Sequence, residues 1–527
     1  MNKWRDPLSE LQSFDRFVRE MPPLPDAGEE VIIEYSSMVE NIQDLLSMVG
    51  ALPPDGRPPV VAWDDILGPL GIVLFRKGAE IDRYVLGRLW RPVLRETGEL
   101  DRYIRATVSV GASARNFYLY DEASALYEEA LVEARGSLSA ALPYLHNSRG
   151  VLLAIRGDYE RARASFMDAR RLSESFSDAE LLKWGALDRK GFWSQERFNH
   201  LDSLLNEGYE APAERLSAII DEAGDLSASL ADLNLDEGFA LLLRQYKAEL
   251  AILEENYDAA ERLLGELYLS EEMEDPYSFS MKAVQSRLLS ILYSRRGDNH
   301  NAYRWIRTAL TQGLRHCYPA EEHFVLEQAV KVLKKLHGKA GEKGRNELID
   351  ELVLLLEDKD WYTGRSHSRN VSELALKIGS DLRDRGDMNI NLEELRVAGL
   401  LHDIGKLKVP WSLLNKIAPI TPRERFLLEK HSEHGRYLLA KMGMDNTAAI
   451  VEQHHEKLDG SGYPKGRPAG DLASIIAVCD VFEASITPNR RYKKPKSRQA
   501  ALEEISSYAG RWYRPEVTEA LKRVASA

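Results

Sequence analysis

The chain has 527 residues, 44% hydrophobic and 29% charged, enough for about three domains with cores of their own and too apolar for general disorder. Its 70 basic and 83 acidic side chains give a formal charge of −13, which disfavours a nucleic-acid polymer as partner. Two cysteines, Cys317 and Cys479, cannot frame a disulfide scaffold or a thiolate zinc site. A charged N-terminus (MNKWRDPLSELQSF) and the lack of an 18-residue apolar run add the expectation of a cytoplasmic protein without a membrane span.

Residues 1–100 are broken by prolines, Pro23 and Pro25 first, then Pro53, Pro54, Pro58 and Pro59. Between these clusters, VIIEYSSMVENIQDLLSMV has helical spacing in its second half. The stretch GIVLFRKGAEIDRYVLGRL reads as a strand, a turn at Lys77-Gly78 and a helix, so a small mixed segment is expected here. Extra helices stacked on the helical region beyond residue 100 are the alternative.

From 101 to 337 the pattern is helical and repeats. Its clearest unit is Gly150, Gly157, Tyr159, Ala162, Phe166 and Ala169, where small residues alternate with aromatic ones. This spacing resembles the tetratricopeptide repeat. The frame recurs at Gly111, Ala123, Tyr127 and Ala130, and more weakly at Ala248, Tyr257, Ala260 and Leu264 and at Tyr293, Gly297, Ala302 and Ala309. Degenerate copies are expected within 177–240. The resemblance implies an α-solenoid whose concave face binds a protein partner, with an irregular helical bundle as the alternative. A glycine- and charge-rich stretch, 338–344, is the expected linker.

The C-terminal third carries the chemistry. Six of the twelve histidines, His367, His402, His431, His434, His454 and His455, gather there. LEELRVAGLLHDIGKLKVP is an apolar helix ending in His402-Asp403, with Gly405 allowing a sharp turn. AAIVEQHHEKLDGSGYPKG runs from a helix into a glycine-rich loop, and ASIIAVCDVFEA buries Asp480 in an apolar run. Embedded acids and histidines need partners or a cation. Together they point to a metal site.

At these residues the chain resembles the HD-GYP family of HD metallophosphohydrolases, over about residues 345–527. The matching text is His367-Ser-x-x-Val, His402-Asp-Ile-Gly-Lys406-x-x-x-Pro410, His431 with Gly435, His454-His-Glu-x-x-Asp-Gly-Ser-Gly-Tyr-Pro464, Asp480-Val-Phe and Arg490-x-Tyr-Lys493. The resemblance implies an all-α domain that hydrolyses cyclic di-GMP to pGpG, with GMP as a further product. It also implies that His367, His402, Asp403 and Asp480 hold one metal and that Asp403 bridges to a second, completed by His431, His454 and His455. Two Fe or Mn ions suit such a set of imidazoles and carboxylates, with Zn as an alternative. Such a pair lowers the pKa of a shared water and offsets phosphoryl charge.

By the same resemblance Lys406 acts beside the scissile phosphate, while Arg490 and Lys493 bind substrate phosphate. Gly462, Tyr463 and Pro464 shape the loop at the cleft. The chain departs from the family at Thr363, where trimetal members have glutamate, so two metals are expected. Ser474 replaces a common arginine and Arg514 a common aspartate. Asn489 and Arg491 flank Arg490 where aspartate and proline are usual, and the segment between Pro464 and Asp480 looks shortened. The alternatives to the phosphodiesterase are a catalytically weak nucleotide-sensing scaffold and a hydrolase of another cyclic dinucleotide.

Overall fold

The computed structural model describes residues 7–22, 27, 29–53, 57, 59–77, 79–185, 189–233, 235, 237–269, 276–316, 319–337, 341–360, 366–414, 416, 420–487 and 495–526. Among these residues the fold is all-α, and the only β-type pairing is an isolated bridge between Ala509 and Tyr513. No helix among them is long and apolar enough to cross a membrane. The chain forms two compact units, Met1–Gly297 and Asp298–Ala527.

In the first unit the strand expected at GIVLF is absent. Those residues close the helix Val60–Arg76, and the next helix is Glu80–Glu96. The physical reason is periodicity over a longer window. Trp63, Leu70 and Leu74 recur at helical spacing and are all buried, which outweighs a short apolar run that either structure could accommodate. Trp63 stacks on Trp90 at 5.9 Å. Beside them the buried Asp64 accepts bonds from Trp90 Nε1 (3.0 Å) and Arg102 (2.8 Å), so its charge is paired.

The clearest repeat forms the antiparallel pair Leu142–Ile155 and Tyr159–Ser173. Asp158 caps the second helix by accepting from the Arg161 amide. A side chain at Gly150 would meet the Phe166 ring, and Ala162, Phe166 and Ala169 are wholly buried. Thus the glycine–aromatic spacing is a device for close helix approach. Gly111 and Tyr127 repeat it between Leu100–Asn116 and Tyr120–Glu133. The stretch 177–240 holds the helices Asp178–Gly185, Arg189–Glu210 and Ala213–Ala231, and the last two pack with Glu237–Leu253 around Leu201, Leu205, Ile219 and Leu230.

In the second unit, helices His367–Asp384, Leu392–Leu401 and Asp471–Ile486 bury a core that includes Val371, Ile378, Leu395, Ile475 and Phe482. Helices Asn299–His316 and Pro319–His337 belong to this unit and pack against Gly341–Lys359. The division at Gly297 therefore lies upstream of the expected linker, whose residues 341–344 open a helix and whose residues 338–340 fall outside those described.

Candidate metal centre

Four helix ends and one mid-helix position deliver the site. Leu392–Leu401 stops at His402, which is followed by Asp403 and a 3-10 turn, Ile404–Lys408. His431 opens the helix His431–Lys441, and Asp445–Gln453 stops at His454-His455. A side chain at Gly405 would collide with the His431 carbonyl and the Gly435 amide, so this glycine serves a close approach of two backbones. His367 begins its own helix, while Asp480 projects from within Asp471–Ile486.

The ligand-type atoms form two groups, His367 with His402 and Asp403, and His431 with His454 and His455, each within 4.8 Å. Asp480 joins the first, its Oδ1 3.1 Å from His367 Nε2. Asp403 lies between the groups. Its Oδ2 is 3.3 Å from His402 Nε2 and 3.7 Å from His367 Nε2, and its Oδ1 is 3.5 Å from His431 Nε2. One carboxylate thus turns an oxygen to each group.

The backbone sets the imidazole tautomers. Nδ1 of His402, His431 and His454 lies 2.6–2.8 Å from the carbonyls of Gly399, Leu428 and Val451 respectively. A carbonyl only accepts, so Nδ1 carries the proton and each Nε2 keeps a lone pair aimed inward. Wholly buried His402 Nε2 has no hydrogen-bond partner, and the Nε2 atoms of His431 and His454 face each other at 3.3 Å. A buried acceptor in that position is costly unless a cation occupies the space. The donor set therefore fits a metal pair.

Electrostatics keep the second histidine group neutral. Burial pushes His431 down and His454 far down, and desolvation takes His455 to about 3, which keeps these imidazoles neutral. Burial alone would raise Asp403, but Lys406 and His402 outweigh it and hold the carboxyl well below the usual range. Burial likewise opposes ionisation of Asp480, and the bond with His367 reverses it. His367 is lifted to about 9 against its desolvation by Asp480 and Glu483.

Lys406 is held near Asp403 by a 2.7 Å bond to Oδ2 and by a 2.9 Å bond to Asp360 Oδ2. Burial would lower its pKa, and the two carboxylates raise it. Tyr463 packs on His455 with ring centroids 4.7 Å apart, in a loop that includes Gly462 and a cis peptide before Pro464. Glu456 pins that loop by accepting from the amides of Lys465 (2.7 Å) and Arg467 (3.1 Å). His434 belongs to neither group. Arg490 and Lys493, with Asn489, Arg491 and Thr363, lie outside the described residues.

Two residues escaped the sequence reading. Asp360 follows the helix Gly341–Lys359 and grips Lys406. Glu483 takes His367 Nδ1, and its other oxygen accepts from Asn370 (3.0 Å) and Thr487 (2.7 Å). Its place three residues after Asp480, on the same helix face, was the available signal.

Arg514 and Ser474 are in contact. Arg514 Nε donates to Ser474 Oγ at 3.3 Å, and its Nη2 reaches the Ala469 carbonyl (3.3 Å) and the Asp471 carboxylate (3.0 Å).

Residues 352–517 match the HD domain family. Among curated proteins, the chain is 34% identical over 184 residues to "Cyclic di-GMP phosphodiesterase" of Thermotoga maritima, covering 34% of this chain and 49% of that one. It is 33% identical over 193 residues to "Cyclic di-GMP phosphodiesterase response regulator RpfG" of Xanthomonas campestris pv. campestris, covering 34% and 48%. It is 38% identical over 132 residues to "3'3'-cGAMP-specific phosphodiesterase 1" of Vibrio cholerae, covering 24% and 30%. The chain spans at most about half the length of these relatives.

Proposed function

We propose that this protein is a cytoplasmic, metal-dependent phosphodiesterase that opens cyclic di-GMP to pGpG, with GMP as a further product, and that its repeats bind a protein partner. The observation that carries the reading is Asp403 turning one oxygen to each of two groups of inward-facing imidazoles. His367, His402, Asp403 and Asp480 would hold one cation, and His431, His454 and His455, with Asp403, the other. Iron or manganese suits this donor set. Bound cations of this kind supply a hydrolytic nucleophile from water at neutral pH and offset phosphoryl charge.

The chain's own residues do the rest. Lys406 keeps its ammonium beside Asp403, where it can stabilise negative charge developing on a phosphoryl oxygen. Backbone carbonyls hold the imidazoles in one tautomer, so little reorganisation is required. Arg490 and Lys493 supply cationic contacts for the dianionic substrate. Similarity to a relative named for 3'3'-cGAMP favours a second reading, in which the same site takes a mixed cyclic dinucleotide.

Anaerobic purification with metal analysis, then incubation with cyclic di-GMP or 3'3'-cGAMP and chromatography of products, tests both. Linear dinucleotide from cyclic di-GMP supports the first reading. Turnover of 3'3'-cGAMP alone supports the second, and a fully metallated protein that turns over neither overturns both.

A further inference from the structure

Lys359 is wholly buried at the end of the helix Gly341–Lys359, and its Nζ donates to the Leu407 carbonyl at 2.6 Å. Leu407 belongs to the 3-10 turn that carries Lys406. Such a turn is short and has poor hydrogen-bond geometry, so its position depends on what surrounds it. Its apolar side chains, Ile404 and Leu407, share a cluster with Leu326 and Leu333 of Pro319–His337 and with Leu352 and Leu355 of Gly341–Lys359. That packing resists separation but has no directional preference. Lys359 supplies direction along the backbone, and its neighbour Asp360 supplies it on the Lys406 side chain.

Burying an ammonium costs several kcal/mol before its bonds are counted. A methionine would fill a similar volume without that penalty, so filling space does not account for a lysine here. We infer that Lys359 is a positioning residue, which holds the turn so that Lys406 is presented to the phosphate. This rests on the proposed function only in naming what Lys406 acts upon.

The test compares the full-length wild type with Lys359→Met by hydrogen exchange, metal analysis and steady-state kinetics. The expected result is two metals retained and amides of 402–410 exchanging at least about 10-fold faster, with those of 371–384 unchanged. Turnover should fall about 10- to 100-fold with KM within about 3-fold, because a small misplacement of a reacting group acts on kcat. Unchanged exchange at 402–410 would overturn the inference. So would a loosened turn with normal kcat, or protection lost equally across 298–527, which would assign Lys359 to the core at large. A wild type inactive on cyclic dinucleotides would defeat the proposed function, while the exchange comparison would still decide whether Lys359 holds the turn.

Discussion

The ammonium of Lys406 lies 2.9 Å from Oδ2 of Asp360, a carboxylate outside the candidate ligand set. Asp403, its other partner, has its oxygens facing both histidine groups. Asp360 belongs to neither histidine group, so it can hold the lysine when Asp403 is engaged by metal. Lys406→Ala should keep both metals and lower kcat about 10²–10³-fold, the usual cost of one preorganised donor. Asp360→Asn, which leaves the lysine in place but less restrained, should cost about 10-fold. Metal analysis alongside steady-state kinetics checks both.

Asp403→Ala should behave differently. Because one carboxylate serves both groups, its loss should remove both metals and the activity together. The wild type should carry two equivalents by elemental analysis. Three equivalents would mean that a further ligand set exists, despite the threonine at position 363.

The Arg514–Ser474 contact predicts a compensation. Ser474 is buried, so Ser474→Arg would set two guanidiniums side by side and should destabilise the protein by about 1–3 kcal/mol. Adding Arg514→Asp restores opposite charges and should recover most of that loss. A double-mutant cycle on thermal unfolding should show coupling of at least about 1 kcal/mol. Additive effects would separate the two departures.

Fragment boundaries follow from the packing. A fragment beginning at residue 298 keeps helices Asn299–His316 and Pro319–His337 and should fold with its metals. One beginning at 345 bares Leu352, Leu355, Leu407 and Leu438, which pack with Leu326 and Leu333. At roughly 1.5–3 kcal/mol per fully exposed side chain, it should melt at least about 10 °C lower. Equal melting temperatures would place the functional boundary at the linker instead.

Acid should weaken the first unit through His200. Its ring is buried against Phe166, and neither ring nitrogen has a hydrogen-bond partner; Glu222 lies 3.5 Å from Nε2. Burial, aided by Arg170 and Arg163, pushes it down to about 4. The unfolded chain, near 6.5, binds this proton first, so stability present above about 6.5 declines as pH falls towards 4. His200→Phe should flatten the fall of melting temperature across that window, read for the transition of the first unit.

Much of this protein was legible in its sequence because the signals are local. Helical periodicity, the Gly150–Phe166 spacing and the His402-Asp403 and His454-His455 pairs each lie within one or two helices. There the 3.6-residue turn dictates which side chains share a face. The strand reading of GIVLF failed for the same reason in reverse, since a short apolar run lacks the window in which Trp63, Leu70 and Leu74 reveal a helix. Tertiary structure alone decided what crosses between helices. It gave His367 to Glu483 and Lys406 to Asp360, and joined Arg514 to Ser474. It also attached the helices before the expected linker to the unit that bears the site. These pairings depend on distances between residues far apart in the chain, set by how buried faces dock, and periodicity along one helix carries no record of them.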